Sequence, residues 1–399
     1  MNILVVNCGS SSQNFKLYQV EEPGVNRVVA YGKARNVATA TREHARIDWF
    51  CNGESHSKEI DLPSHQSAAR EIIRIIYQSA ITIDAIGHRF VHGGTWLTET
   101  TLVTPESIKI LEKCLPLAPI HNPNSYDVLQ VYREEMPQVP QYVVFDTAFH
   151  SRLPEEARQY ALPQTLAEQY GFRKYGFHGL SYQYVSQKAA ELLGIPLNEV
   201  KLIMCHLGTG GSSVAAFKDG HTVDTSMGYS PLPGLVMSTR SGDLDPEIVL
   251  QLVKLGYSAD RISRILNNES GLIGLSGYSS NLAEIIEAAE RGNERCRIAY
   301  EVYTNRLKTY IGGYFWQMNG ADALIFTDEI GTHSWQLREK VCGNVEQLGV
   351  RLDPDANQNA KVDQPQFIHA EDSRVKIISM PTDEEQVILN EVVKALSTK

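Results

Sequence analysis

The chain opens on a short apolar run over residues 2–6, broken by Asn7-Cys8-Gly9-Ser10-Ser11-Ser12 and resumed as an alternating strand pattern over 15–20. The same arrangement returns ~200 residues later, at half the chain length. Residues 202–205 form a buried-strand pattern, HLGTGGSS a turn, and residues 214–217 a second strand. Superposing Gly9 on Gly208 aligns NILVVNCGSSS with KLIMCHLGTGG. Two apolar runs joined by glycines and small hydroxyls predict a β-hairpin whose tip can turn backbone N–H groups toward an anion. One such hairpin in each half predicts two domains sharing a core unit.

The remaining pattern fills in around these hairpins. Alternation over 26–60 predicts further antiparallel strands, and 65–80 reads as a helix with Ala68, Ile72, Ile73 and Ile76 on one face. A strand at 83–86 delivers GHRFVHGG. A helix over 105–115 leads into the proline-rich loop 116–123, and Asn124 or Ser125 is expected to cap a helix reaching Met136. Residues 143–145 form a strand with Asp146 at its tip, where α/β enzymes keep catalytic carboxylates. The second half is more helical: 245–255, 259–266, 281–291, 296–318, 335–348 and 384–396, with a core strand at 323–326. No low-complexity linker marks a boundary. The expected division is an N-terminal domain over 1–150, a C-terminal domain over 151–382, which the family resemblance given below implies to be donor-binding, and a helix over about 383–399 returning to the first domain.

Composition narrows the function classes. Hydrophobic residues make up 42% of the chain and charged residues 21%, the balance of a globular protein able to bury large cores. The formal net charge of −10 argues against a general nucleic-acid binder but leaves room for a local positive pocket. Six cysteines without a CxxC pair predict free, mostly buried thiols, and no stretch approaches the ~18 apolar residues of a membrane span. A cytoplasmic protein is the expectation.

Candidate chemistry gathers at strand ends and glycine turns. Thr239-Arg240-Ser241-Gly242-Asp243 sets one arginine among small residues, as a phosphate clamp would. Arg89 lies between two histidines, His178 sits in YGFHG, and His121 ends the proline loop. There is no GxxxxGK(S/T), no strand-turn-helix GxGxxG and no HExxH. Phosphoryl transfer by such a set would rest on positioning and charge stabilisation.

NCGSSS, GHRFVHGG, LPLAPIHNP, FDTAFH, YGFHG, HLGTGGSS, GLVMSTRSGDLDP, ESGLIGLSG and PTDEE stand in the order and spacing of the acetate and propionate kinases, and this sequence resembles that family over about residues 2–395. The resemblance implies an α/β, two-domain acetate/sugar kinase–actin-like fold, a duplicated ribonuclease H-like unit. It also implies a homodimer and reversible phosphoryl transfer between ATP and acetate or propionate, giving ADP and acetyl phosphate, with Mg2+ or Mn2+. It places Asn7 and Glu384 at the metal, Ser10 and Ser12 at phosphate, and Arg89 on the substrate carboxylate with His121 beside it. Asp146 becomes the catalytic carboxylate, with His178 and Arg240 on the transferring phosphoryl. Val91, Ile120, Phe177 and Pro231 would line a small apolar pocket. The donor is implied at His206, Gly208, Thr209, Gly210, Asn281, Glu329, Ile330, Gly331 and His333.

The donor end departs from the family pattern. Asn14 replaces a usual lysine, Thr209 replaces the asparagine of HLGNG, Asn281 and Ala283 replace the aspartate and arginine that follow SS, and DEIGTH replaces GGIGEN. Several of these features are similar to a branch that uses pyrophosphate and phosphate. ATP/ADP, pyrophosphate/phosphate and a non-catalytic relative therefore stand as alternatives, with ATP first.

Overall fold

The computed structural model describes residues 1–22, 24–39 and 44–397. The chain divides into two compact units, Met1–Ser151 with Asp383–Lys399, and Arg152–Thr382.

The first unit is built on one sheet of β1 (Asn2–Cys8), β2 (Ser12–Glu22), β3 (Val25–Arg35), β4 (Arg46–Cys51), β5 (Glu54–Glu59), β6 (Ala85–Phe90), β7 (Thr101–Leu102) and β8 (Gln141–Phe145), in the order β5-β4-β3-β2-β1-β6-β8-β7. β1 pairs antiparallel with β2 and parallel with β6, which pairs parallel with β8. Helices α1 (His65–Gln78), α2 (Pro105–Cys114), α3 (Asn122–Glu135) and the C-terminal α15 (Glu384–Ser397) cover the sheet. The isoleucine face of α1 (Ile72, Ile73, Ile76) meets Leu4, Val6, Phe15 and Ile86 in the core. α15 comes unusually close: a Cβ on Gly87 would lie 2.7 Å from Ile388 and 2.8 Å from Val392. The missing side chain lets the helix settle on β6, which fixes Glu384 beside the ends of the parallel strands.

In the second unit β9 (Leu202–Leu207), β10 (Ser212–Lys218), β11 (His221–Thr225), β12 (Ala323–Thr327), β13 (Gln366–Phe367) and β14 (Lys376–Ser379) run in the order β11-β10-β9-β12-β14-β13. Around them lie α4 (Glu155–Arg158), α5 (Gln164–Tyr170), α6 (Gly179–Leu193), α7 (Pro246–Lys254), α8 (Ala259–Arg264), α9 (Gly271–Ser276), α10 (Leu282–Glu290), α11 (Glu294–Gln317), α12 (Asp328–His333), α13 (Trp335–Cys342) and α14 (Pro354–Gln358). Ile203, Cys205, Ile285, Tyr303, Leu307, Phe326 and Leu337 share its core. β9 pairs antiparallel with β10 and parallel with β12, which pairs parallel with β14. The course β3-β2-β1-β6-β8 is thus repeated as β11-β10-β9-β12-β14, and the α/β duplication suggested by the two glycine hairpins is present in the strand order.

Several expectations shift. The strand expected at 83–86 is β6, so Arg89 lies within a strand rather than in a loop after it. α3 starts at Asn122 with His121 in the N-cap position, not at Asn124 or Ser125, because Pro123 fits a first turn whose N–H needs no partner. The helix expected over 335–348 ends at Cys342, where Gly343 takes an extended conformation, and a 3-10 turn (Glu346–Leu348) follows. The predicted 383–399 segment is α15, its last two positions lying outside the described residues. All six cysteines are buried and free. Among the described residues no helix is long and apolar enough to cross a membrane.

Candidate active site

In the first unit, three parallel strands and one helix start bring four groups together. β1 carries Asn7, β6 carries Arg89, β8 runs directly into Asp146, and α15 begins at Glu384. These are the carboxyl ends of the parallel strands, the usual place for a site in an α/β sheet. The Arg89 guanidinium forks onto Asp146, Nε to Oδ1 at 3.0 Å and Nη2 to Oδ2 at 2.6 Å. Its Nη1 donates to Asn7 Oδ1 at 3.2 Å and lies 3.8 Å from Glu384 Oε2. Burial opposes the guanidinium charge, but Asp146 and Glu384 outweigh it and raise the Arg89 pKa above its ordinary value. Among the described residues three of its five N–H bonds are engaged.

Asn7 Nδ2 in turn donates to Glu384 Oε2 at 3.2 Å and to Glu385 Oε1 at 3.0 Å. Glu385 joins Glu384 here; the acidic run PTDEE contains both, but only Glu384 is implied at the site by the family resemblance. Glu385 is buried, takes a hydrogen bond from Asn14, and lies 3.5 Å from Lys16 Nζ. Its burial pushes the carboxyl pKa up, but Lys16 and the two amides outweigh that and hold it below its ordinary range. Asn14 therefore supports this acidic cluster.

Other predicted residues have plainer surroundings. Ser10 and Ser12 flank the β1–β2 turn, where Gly9 donates to the Ser12 carbonyl at 2.9 Å; Ser10 is exposed and Ser12 half-buried. The histidines either side of Arg89 are buried structural groups. His88 Nε2 meets Gln141 Oε1 at 2.9 Å, and burial pushes His88 and His92 down to about 4. His121 is half-buried at the start of α3, and its neighbour Asn122 ties the loop together through the carbonyls of His92 and Cys114. Val91 is buried and Ile120 half-exposed.

The second unit holds the glycine turn of β9–β10. Gly208 donates to the Gly211 carbonyl at 3.1 Å, and among the described residues the amides of Thr209, Gly210 and Gly211 donate to no protein acceptor. His178, at the left-handed φ of 59° just before α6, has its ring centroid 4.1 Å from that of His206, with an interplanar angle of 30°. His178 Nδ1 lies 2.8 Å from Ser213 Oγ, which also meets Tyr182 Oη at 2.5 Å; His206 Nδ1 lies 2.8 Å from Ser181 Oγ. A Cβ on Gly211 would fall 3.3 Å from Arg240 Nη1 and 3.4 Å from His178 Nε2, which places both groups over the turn. Arg240 is half-buried, and burial alone lowers its pKa; among the described residues no carboxylate forms an ion pair with it. Two histidines, an arginine with no ion pair among the described residues and open backbone amides thus converge on one turn. Phe177 is buried and Pro231 half-buried.

The segment Asp328–His333 is the short helix α12. Asp328 Oδ2 lies 3.2 Å from His206 Nε2, and Glu329 accepts from Thr209 Oγ1 at 3.0 Å. Ile330 packs on the core, the Gly331 carbonyl accepts from the buried Arg338, and His333 Nδ1 lies 2.8 Å from the Glu329 carbonyl. Asn281 caps α10, its side-chain oxygen accepting from Ala283 N at 2.9 Å. Ser181, Ser213, Tyr182 and Asp328 were not singled out from the sequence; a shared position around two histidines is a tertiary fact that periodicity does not carry.

The Acetokinase family model matches residues 2–390. The chain is 42% identical to the acetate kinase of Dictyoglomus turgidum, over all of this chain and 98% of that protein, and 42% identical to that of Bacillus subtilis, over 98% of each. Among solved structures, it matches Porphyromonas gingivalis acetate kinase with TM-score 0.89 and 38% identity over 99% of both chains. It matches a propionate kinase from Francisella tularensis with TM-score 0.88 and 34% identity over 98% of both.

Proposed function

The chain belongs to the acetokinase family, and on that premise we propose that it transfers a phosphoryl group reversibly between ATP and acetate, giving ADP and acetyl phosphate, with propionate as a second acceptor. The observation that carries this reading is Arg240. A half-buried guanidinium that no carboxylate among the described residues pairs with, set over amides without an acceptor among those residues, is a costly arrangement that a bound phosphoryl group would satisfy. His178 over the same turn supports charge stabilisation of that group.

Acetate is already an anion and needs no general base. The Arg89–Asp146 fork therefore supports a different role for Asp146: it holds Arg89 so that its remaining N–H bonds meet the acceptor carboxylate or the transferring oxygens. His121 beside Asn122 would shape that end, and Ser10 and Ser12 would meet phosphate oxygens. His206, Gly208, Thr209, Gly210, Asn281, Glu329, Ile330, Gly331 and His333 would form the donor side. The Glu384 carboxylate and the Asn7 amide oxygen are hard donors of the kind Mg2+ uses when phosphate and water complete its shell. They would hold the ion, which would neutralise phosphate charge.

Apolar residues exposed in the second unit, among them Leu250, Val253 and Leu255, with Trp316 at 88% exposure, support a homodimer as the working form. The test is an assay of acetyl-phosphate formation and consumption with ATP/ADP and Mg2+, then with pyrophosphate/phosphate. Turnover with ATP is expected; turnover only with pyrophosphate would replace the donor, and none with either would overturn the reading.

A further inference from the structure

Within the phosphate site proposed above, we propose that Asp328 is a positioning residue that acts through His206. Thr327 of β12 is registered against His206 of β9, so the next residue along the chain comes to lie beside the imidazole. Its Oδ2 stands 3.2 Å from His206 Nε2. The other ring nitrogen, Nδ1, faces Ser181 Oγ at 2.8 Å. Both edges of the ring are therefore held by the protein. With a carboxylate at Nε2, the proton is kept there and Ser181 meets Nδ1, which fixes tautomer and ring plane together.

The backbone bears a cost to hold this contact. Asp328 sits at φ 65°, in the left-handed region that only glycine enters freely. The carboxylate fills the space over the hairpin: a Cβ on Gly208 would lie 2.2 Å from Asp328 Oδ2. From the other side α12 is clamped by Arg338, only 1% exposed, which donates to the carbonyls of Gly331 at 2.8 Å and Thr332 at 2.7 Å and reaches Asn357. The left-handed start of α12 thus meets His206 while Arg338 anchors the carbonyls near the helix's other end.

The consequence passes to His178. Its Nδ1 is tied to Ser213, and its face rests on His206 with centroids 4.1 Å apart, so its Nε2 edge is the one turned to Gly211 and Arg240. Rotation of His206 would remove the ring that His178 stacks on. Asp328 thus orients the histidine pair over the phosphate turn.

The experiment uses the full-length protein with Asp328→Gly, which keeps the backbone at no strain, and Asp328→Asn, which keeps an acceptor. The imidazole 15N signals of His206, assigned by comparison with His206→Asn, are expected to report one Nε2–H tautomer in the unsubstituted protein and in Asp328→Asn. Asp328→Gly is expected to show a mixture. In the acetate kinase assay Asp328→Gly should lower kcat at least about tenfold with KM for acetate within about twofold, and Asp328→Asn should recover most of the loss. Adding Asp328→Gly to His206→Asn should cost nothing further. An unchanged His206 spectrum in Asp328→Gly, or losses that multiply in the double variant, would overturn the proposal. The spectrum is read without substrate, so it decides the point even if no donor supports turnover.

Discussion

At the scale of single residues, the two arginines stand in opposite situations, and that difference makes separate predictions. Arg89 is satisfied by Asp146, Asn7 and Glu384, whereas Arg240 has lost hydration without gaining a carboxylate. Arg240→Ala should cut kcat about a hundredfold or more, because charge spread on a phosphoryl group in transfer depends on such donors. The same change should leave the melting temperature unchanged or slightly raised, since it removes a charge that folding desolvates without return. A large drop in stability would show that Arg240 is structural. Asp146→Asn should behave differently. Breaking the fork leaves a buried guanidinium short of its main partner, at a cost of roughly 3 kcal/mol that Glu384 partly offsets. Activity and melting temperature should therefore fall together, and near-normal turnover in Asp146→Asn would remove Asp146 from the site.

At the scale of elements, the β9–β10 hairpin and α12 fit each other closely enough for a steric test. Gly208→Ala places a methyl against Asp328 Oδ2, an overpacking that costs about 1–3 kcal/mol. Adding Asp328→Gly opens that space, so thermal unfolding should show the double variant recovering most of the loss, and no recovery would mean the clash lies elsewhere. The hairpins were legible in the sequence because an apolar run, a glycine turn and a second apolar run have few other solutions. α12 was not legible: six residues give no periodicity, its left-handed first residue meets His206, and its later carbonyls are held by Arg338. β13 and β14, four residues or fewer, were lost for the same reason. The start of α3 was misjudged because polar residues at 124 and 125 resemble caps, while Pro123 had already marked the first turn. For the site, residue types at strand ends and the family resemblance named Asn7, Arg89, Asp146, His178, Arg240 and Glu384, whereas Glu385, Ser213, Ser181 and Asp328 are known only from what they touch.

At the scale of the whole molecule, the duplicated fold carries an uneven sensitivity to acid. His88 and His92, both in the first unit, are 2% and 0% exposed, and burial holds their pKa values at about 4, below the ordinary 6.5. Between those values the unfolded chain binds protons that the folded chain refuses, so stability rises with pH. Each histidine contributes stability that is fully present above about pH 6.5 and is lost as pH falls toward 4, on the order of 3 kcal/mol apiece. Chemical denaturation at a series of pH values should give a folding free energy that falls steeply across this window, before most carboxylates titrate. His88→Gln, which keeps a polar partner for Gln141, should reduce the slope by about one proton in the same window while leaving the acid limb below pH 4 in place. An unaltered slope would place the acid sensitivity in other groups. Because His88 precedes Arg89 on β6, loss of activity on acidification should track unfolding of this unit, so both should shift together in His88→Gln.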